Sequence, residues 1–221
     1  MAKVTTTNIV GTASKNTWSQ SQTHVYGDDH KIMVVIKLSC EDIDSLIDLA
    51  AIGVEILAEV ERKGPAIESA QQLNKLFQDI VNGVTEGLTI SILMGFVHDS
   101  KLILVGKGEV DGYLSRNAQL AKLKDNWDDE GKIEGNLIEN DVFVMTTSKF
   151  VEVVSLSKFK EILTQEENPS DFLAPLVHTE ADSSGIALIV AEVMGAVKPQ
   201  GSSWLKNVFN REPKIHLRDE S

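Results

Sequence analysis

Residues 88–98, LTISILMGFVH, are apolar almost without interruption and are bounded by turn formers, as a short strand buried on both faces requires. KLILVG (101–106) follows a turn at Asp99 and Ser100. GEVDGYLS and AQLAKLK then flank a second turn at Arg116 and Asn117, so 88–124 reads as a meander of four strands. Upstream, 24–26 and 31–38 read as a hairpin turning at Gly27, Asp28 and Asp29, with IMVVI as a central strand. Apolar spacing then becomes helical over 41–63, on Ile43, Leu46, Ile47, Ala50, Val54 and Leu57, with Ser39 placed as the cap and Asp42 as its capping-box partner. Gly64 and Pro65 break this helix. A second runs to about residue 86 on Ile67, Ala70, Leu73, Phe77, Ile80, Val81 and Val84, and the two form an antiparallel pair able to cover one face of a sheet.

The C-terminal half is organised around ENDVFVMTTSKFVEVVS (139–155). Asn140 and Asp141 are turn formers, Val142 to Met145 make a buried strand, Thr146 to Lys149 form its polar exit, and a helix over 149–163 follows. Before it lies an acidic loop, 125–139, carrying the short elements KIEG and NLIE. After it come a helix DFLAPLVHTE with Ser170 as its cap and a last apolar strand, GIALIVAEVM (185–194). Residues 1–22 are polar and read as an irregular lead-in with one strand near Ile9 and Val10. The pattern places one domain over 1–195 and a flexible or amphipathic tail over 196–221. In that tail Trp204, Leu205, Val208 and Phe209 share one helical face, among five Lys or Arg and three acids, and are the candidates for contact with a protein partner or, more weakly, a membrane surface.

Composition narrows the function classes. The net charge of −12 repels phosphate backbones and argues against nucleic acid as a partner. The single cysteine, Cys40, allows no internal disulfide, and no Cys and His cluster has zinc-ligand spacing. No apolar run reaches the ~18 residues of a membrane span, and the N-terminus lacks the form of a secretory signal, so the expected location is cytoplasmic. His24, His30, His98, His178 and His216 lie in no nucleophile motif, and Gly106 and Gly108 do not complete a nucleotide-binding fingerprint.

The order hairpin, two long helices, antiparallel strands, loop, strand with polar tip, helices, last strand resembles the metal-dependent PPM-type (protein phosphatase 2C-like) Ser/Thr phosphatases over nearly 8–195. Three further stretches carry the likeness: GLTISILMGFVHDSKLILVGKGEVDGYL, KIEGNLIENDVFVMTTSKF and SSGIALIVAEV. The resemblance implies an α+β fold, a four-layer αββα sandwich of two antiparallel sheets flanked by helix pairs, with metals at one end.

It also implies ligand positions, and there this chain departs from the family. The first acidic pair falls near Trp18 and Ser19, and the phosphate-holding arginine has no counterpart because no Arg precedes Arg62. The Asp of the second motif falls on Lys37, that of the third on Ser148, and that of the fourth on Ser184, with Asp182 two residues upstream. Hard divalent cations need several oxygen ligands, and Lys37 puts a cation where an anion is required. The reading that follows is a catalytically inactive, pseudophosphatase-like binding or regulatory module without cofactor. The alternative is a Mg- or Mn-dependent Ser/Thr phosphoprotein phosphatase with relocated ligands among Glu109, Asp111 and Asp182. A third reading, an unrelated α+β interaction domain, requires a different sheet order. Asp28 and Asp29 also lie near the expected metal end, as turn residues.

Overall fold

The computed structural model describes residues 3–27, 30–41, 47–127, 131–165 and 168–195. Its strands are β1 (Lys3–Val10), β2 (Thr17–Val25), β3 (Lys31–Cys40), β4 (Leu88–His98), β5 (Lys101–Lys107), β6 (Val110–Arg116), β7 (Gln119–Lys122), β8 (Gly131–Asn136), β9 (Val142–Thr147) and β10 (Ala187–Met194). Its helices are α1 (Leu49–Lys63), α2 (Ala70–Gly83), α3 (Lys149–Val153), α4 (Leu156–Gln165) and α5 (Pro169–His178). One antiparallel sheet runs β1-β10-β9-β6-β7 and the other β2-β3-β4-β5-β8.

Three apolar layers hold these elements together. Met33, Val35, Leu93, Leu104, Phe143, Met145 and Ile189 fill the space between the sheets. The alternate residues of β3, Ile32, Val34, Ile36 and Leu38, face α1 and α2, where they meet Leu57, Val60, Leu73 and Phe77. On the far side Val144, Leu188 and Val190 pack against Phe150, Phe159, Leu173 and Val177 of the second helical layer. Strands such as β3 and β4 are therefore apolar on both faces, which accounts for their unbroken hydrophobic runs. The architecture is the expected αββα sandwich.

Several boundaries differ from the sequence reading. Ser39 lies inside β3, and its expected partner Asp42 lies outside the described residues; the N-cap of α1 is Asp48, whose Oδ1 accepts from the Ala51 N–H at 3.0 Å. Ile43 and Leu46 lie outside the described residues. Ile67 precedes α2, which Ser69 caps by accepting from the Gln72 N–H at 3.3 Å. The helix expected over 149–163 is broken after Val153, and α4 restarts with Ser155 Oγ accepting from the Lys158 N–H. Ser170 sits within α5, one residue after Pro169 at its first position, and is buried rather than capping; Asn168 precedes the helix.

The 88–124 meander is two hairpins in different sheets, because the chain crosses from β5 to β6 through Gly108 at φ +83°. Both hairpins turn on residues with positive φ, Asp99–Ser100 and Asn117–Ala118, the geometry that matches strand twist. The polar lead-in holds two full strands. In β2 the residues facing the interior are Ser19 and Ser21, whose hydroxyls donate to the carbonyls of Ile186 and Ile9 at 3.1 and 3.4 Å. These bonds join the edges of the two sheets.

Candidate functional site

One end of the sandwich gathers the ends of strands from both sheets. The polar row Ser19, Lys37 and Ser91 lies in register across β2, β3 and β4. It stands at the mouth of the inter-sheet layer, two residues beyond Val35. Ser91 Oγ accepts from the Glu109 N–H at 3.0 Å and so fixes the β5–β6 crossover over this row. From the other sheet come Thr147, Ser148 and Lys149 at the exit of β9, and 182–185 at the entry to β10. The Ser148 N–H donates to the Glu109 carbonyl at 2.9 Å, and the Ala187 N–H donates to Thr147 Oγ1 at 3.2 Å. The lead-in closes the remaining side: the Thr12 N–H donates to Ser183 Oγ at 3.0 Å. A methyl on Gly11 would come within 2.0 Å of the Ser183 carbonyl oxygen.

Between described residues, two ion pairs stand at this end. Lys37 Nζ reaches Glu109 Oε2 at 2.5 Å, and Lys149 Nζ reaches Asp182 Oδ2 at 2.7 Å. In each, the lysine is the sheltered partner (17% and 25% side-chain exposure) and the carboxylate the exposed one (67% and 70%). Solvent screens such pairs, so they define the charge pattern of the tip more than the stability of the fold. Asp182 also accepts from Ser184, through its hydroxyl at 2.6 Å and its backbone N–H at 3.1 Å. The Lys149 ammonium, followed by these two Ser184 donors, holds the Asp182 carboxyl down to about 2.

A depressed carboxylate pKa favours the folded state above the ordinary Asp range, and that contribution fades as pH falls through about 2. Lys149→Met should therefore bring the Asp182 pKa back toward the ordinary value of about 3.9. A carboxyl-carbon NMR titration reads this directly, and an unmoved midpoint would refute the Lys149 contact.

The expected positions separate cleanly. Lys37, Ser148, Ser184, Glu109 and Asp182 meet at this end; the methylene chain of Lys37 passes 3.5 Å from where a Cβ would stand on Gly185. Asp111 does not join them. It is buried opposite Thr146 on β9 and pairs with Lys122 of β7 at 2.5 Å; its charge and above all burial push the Tyr113 hydroxyl well above the usual tyrosine range. Trp18 is wedged against α1 at Gly53, away from the mouth. Asp28 and Asp29, and Trp204, Leu205, Val208 and Phe209, lie outside the described residues.

Sequence reasoning passed over Ser91, and it placed Thr147 and Lys149 in the polar exit of β9 without their partners. The only available signal was a polar residue at the end of an apolar strand in each case. Among the described residues no three His, Cys, Asp or Glu side chains are placed to hold a metal ion. Two carboxylates, each engaged by an ammonium, do not fit the donor set of a divalent-metal pair.

No family model matches the chain, and no curated protein matches it. Solved structures do. The serine/threonine phosphatase of S. agalactiae superposes with a TM-score of 0.65 at 9% identity, covering 87% of this chain and 99% of the phosphatase. The catalytic domain of the serine threonine protein phosphatase PstP, solved in complex with two manganese ions, gives 0.65 at 12% identity over 88% of this chain and 99% of its own. A bacterial serine phosphatase gives 0.69 at 10% identity over 90% and 100%. At such identities the likeness is one of fold, which sets aside an unrelated α+β architecture. The chain is a phosphatase 2C-like sandwich.

Proposed function

We propose that this sandwich is a noncatalytic phosphatase-like domain that has lost the metal pair and serves as a binding or regulatory module, with a protein as the expected partner. The observation that carries the reading is the double ion pair at the tip, Lys37 with Glu109 and Lys149 with Asp182, where the resemblance expects metal ligands. An ammonium at Lys37 opposes a dication in a partly sheltered site, and hydroxyls at 148 and 184 supply no compensating charge. Hydrolysis of a phosphate ester in this fold depends on metal-activated water. Besides the two ion-paired carboxylates, the described tip offers lysines and serine and threonine hydroxyls, none of which is an effective base at neutral pH.

Calorimetric titration of Mg²⁺ and Mn²⁺ into the full chain, paired with phosphatase assays on a phosphopeptide and an aryl phosphate, tests the proposal. The expected result is neither binding heat nor turnover. Binding of two ions with phosphate release would overturn it and give Glu109 and Asp182 the role of relocated ligands.

A further inference from the structure

We infer that a histidine-lined seam, at the end of the sandwich away from the ion-paired tip, makes the docking of α1 pH-sensitive: the last turn of α1 lies on the sheet while the imidazoles are neutral and lifts when they are protonated. The register of the sheet builds the seam. His24 of β2 stands opposite Ile32, which stands opposite Phe96 of β4. Tyr26, His30 and His98 follow one step further out on the same face, since side chains repeat every second residue, and the Tyr26 N–H donates to the His30 carbonyl at 2.9 Å. The rings form a series. Tyr26 has its centroid 6.2 Å from that of His24 and 5.3 Å from that of His30, and His30 lies 5.2 Å from Phe96 and 6.0 Å from His98.

The last turn of α1 covers this series. The Tyr26 hydroxyl donates to the Glu61 carbonyl at 3.0 Å, with the Val60 carbonyl at 3.4 Å, and a Cβ on Gly64 would come within 2.3 Å of the same hydroxyl oxygen. Val60 and Ile67 are buried beside it. His24 is 7% exposed, and neither its Nε2 nor the Nδ1 of His98 has a hydrogen-bond partner among the described residues. A proton added at either atom finds no acceptor while the cover is closed. The cover is also easily moved, because only the short turn Gly64–Ala66 and three further residues separate α1 from α2.

Few described charges face the seam. From α1 comes Glu61, from β2 the Tyr26 hydroxyl, and after β4 Asp99, whose Oδ2 lies 3.5 Å from His98 Nε2. Lys63, on the same turn of α1, is engaged by Glu59 and by Asp79 of α2. Burial holds the His24 imidazole below the ordinary histidine value of 6.5, and the Glu61 carboxylate opposes this only in part. The lifted state, with the ring in water, therefore takes up a proton more readily than the docked state. It follows that the docked turn has its full advantage above about 6.5 and loses it as pH falls through that value and below it. Each further imidazolium in the series adds a like charge, so the loss deepens.

Hydrogen exchange of the full chain at about pH 7 and about pH 5, corrected for the intrinsic pH dependence of amide exchange, tests this. The amides of 61–67 and of Tyr26 should lose protection about fivefold at the lower pH, while α4 and α5 keep theirs. His24→Phe keeps a ring in the seam without its titration, and His24→Gln puts a neutral polar side chain there; either should abolish most of the change. Equal protection of 61–67 at the two pH values overturns the proposal. So does an equal loss in α4 and α5, which is global acid unfolding, and so does a loss that both variants retain. Should neither variant fold, carbon NMR titration of the parent's imidazoles decides: a His24 midpoint below 6.5 supports the proposal, and one at or above 6.5 overturns it. Neither metal nor phosphate ester enters these readouts, so their failure is distinguishable from failure of the noncatalytic reading.

Discussion

Lys37→Asp, Ser148→Asp and Ser184→Asp introduced together should give a chain that binds Mn²⁺ and melts about 5–10 °C higher when saturated, while the parent's melting temperature stays flat. The three positions converge on one end of the sandwich, around Glu109 and Asp182. The substitutions remove the Lys37 ammonium and add three carboxylates, leaving Lys149 as the only cation of the two tip pairs. Oxygen ligands at that density are what a hard dication requires. Ligand linkage then stabilises the fold by about 2.7 kcal/mol at a hundredfold excess of metal over its Kd, equivalent to the stated shift for a domain of this size. A melting curve indifferent to Mn²⁺ would mean that the backbone at the tip no longer holds these positions in a metal-binding arrangement.

The second large effect lies far from the tip. Asp141 is 1% exposed and grips Arg116, itself 10% exposed, through two hydrogen bonds, at 2.7 Å from Nε and 2.5 Å from the terminal nitrogen. The same carboxylate accepts from the Ile138 N–H at 2.8 Å, and Arg116 donates onward to the Asn136 carbonyl at 3.0 Å. This network ties the end of β8, the turn before β9 and the end of β6 together. Asp141→Ala strands a buried guanidinium and an unpaired N–H, and should cost about 3–5 kcal/mol in urea denaturation. Arg116→Met combined with Asp141→Leu should cost less than Asp141→Ala alone, since neither charge is then left buried without its partner. Equal losses in the two variants would place the energy in the carboxylate's backbone contacts rather than in the ion pair.

The helices and the apolar strands were legible because burial writes itself into the sequence as periodicity. β4 and β10 are buried on nearly every residue and read as strands at once. β2 did not, because its interior positions are Ser19 and Ser21, which satisfy carbonyls of the opposite sheet instead of packing against side chains. No hydrophobic alternation marks a strand that does this. The start of α1 was misplaced for a related reason: Ser39 is as good a cap as Asp48 by composition, and only the length of β3 decides between them. At the tip, the replaced positions came from the resemblance. Glu109 and Asp182 were named there as residual acids, but their pairing with the two lysines was not legible, because 72 and 33 residues separate the paired side chains and pairing at that range leaves no local pattern. Asp111 illustrates the limit from the other side. Glu109 precedes β6, whereas Asp111 is its second residue and points away from Val110, which packs between the sheets, as strand alternation dictates once β6 is known to begin at Val110.

The pairing of β1 with β10 bears on how the chain is made. In its sheet β1 has only β10 as a neighbour, from Lys3 opposite Met194 to Val10 opposite Ala187. The other sheet has all its strands once residue 136 has been added. At ribosomal rates of about 5–20 residues per second, β1 is synthesised roughly 10–35 seconds before its partner. A sticky apolar strand would be hazardous over such an interval. β1 is KVTTTNIV, with only Val4 and Ile9 destined for the interior, so the polar composition that conceals it from a hydrophobic pattern also lets it wait in water for the last strand.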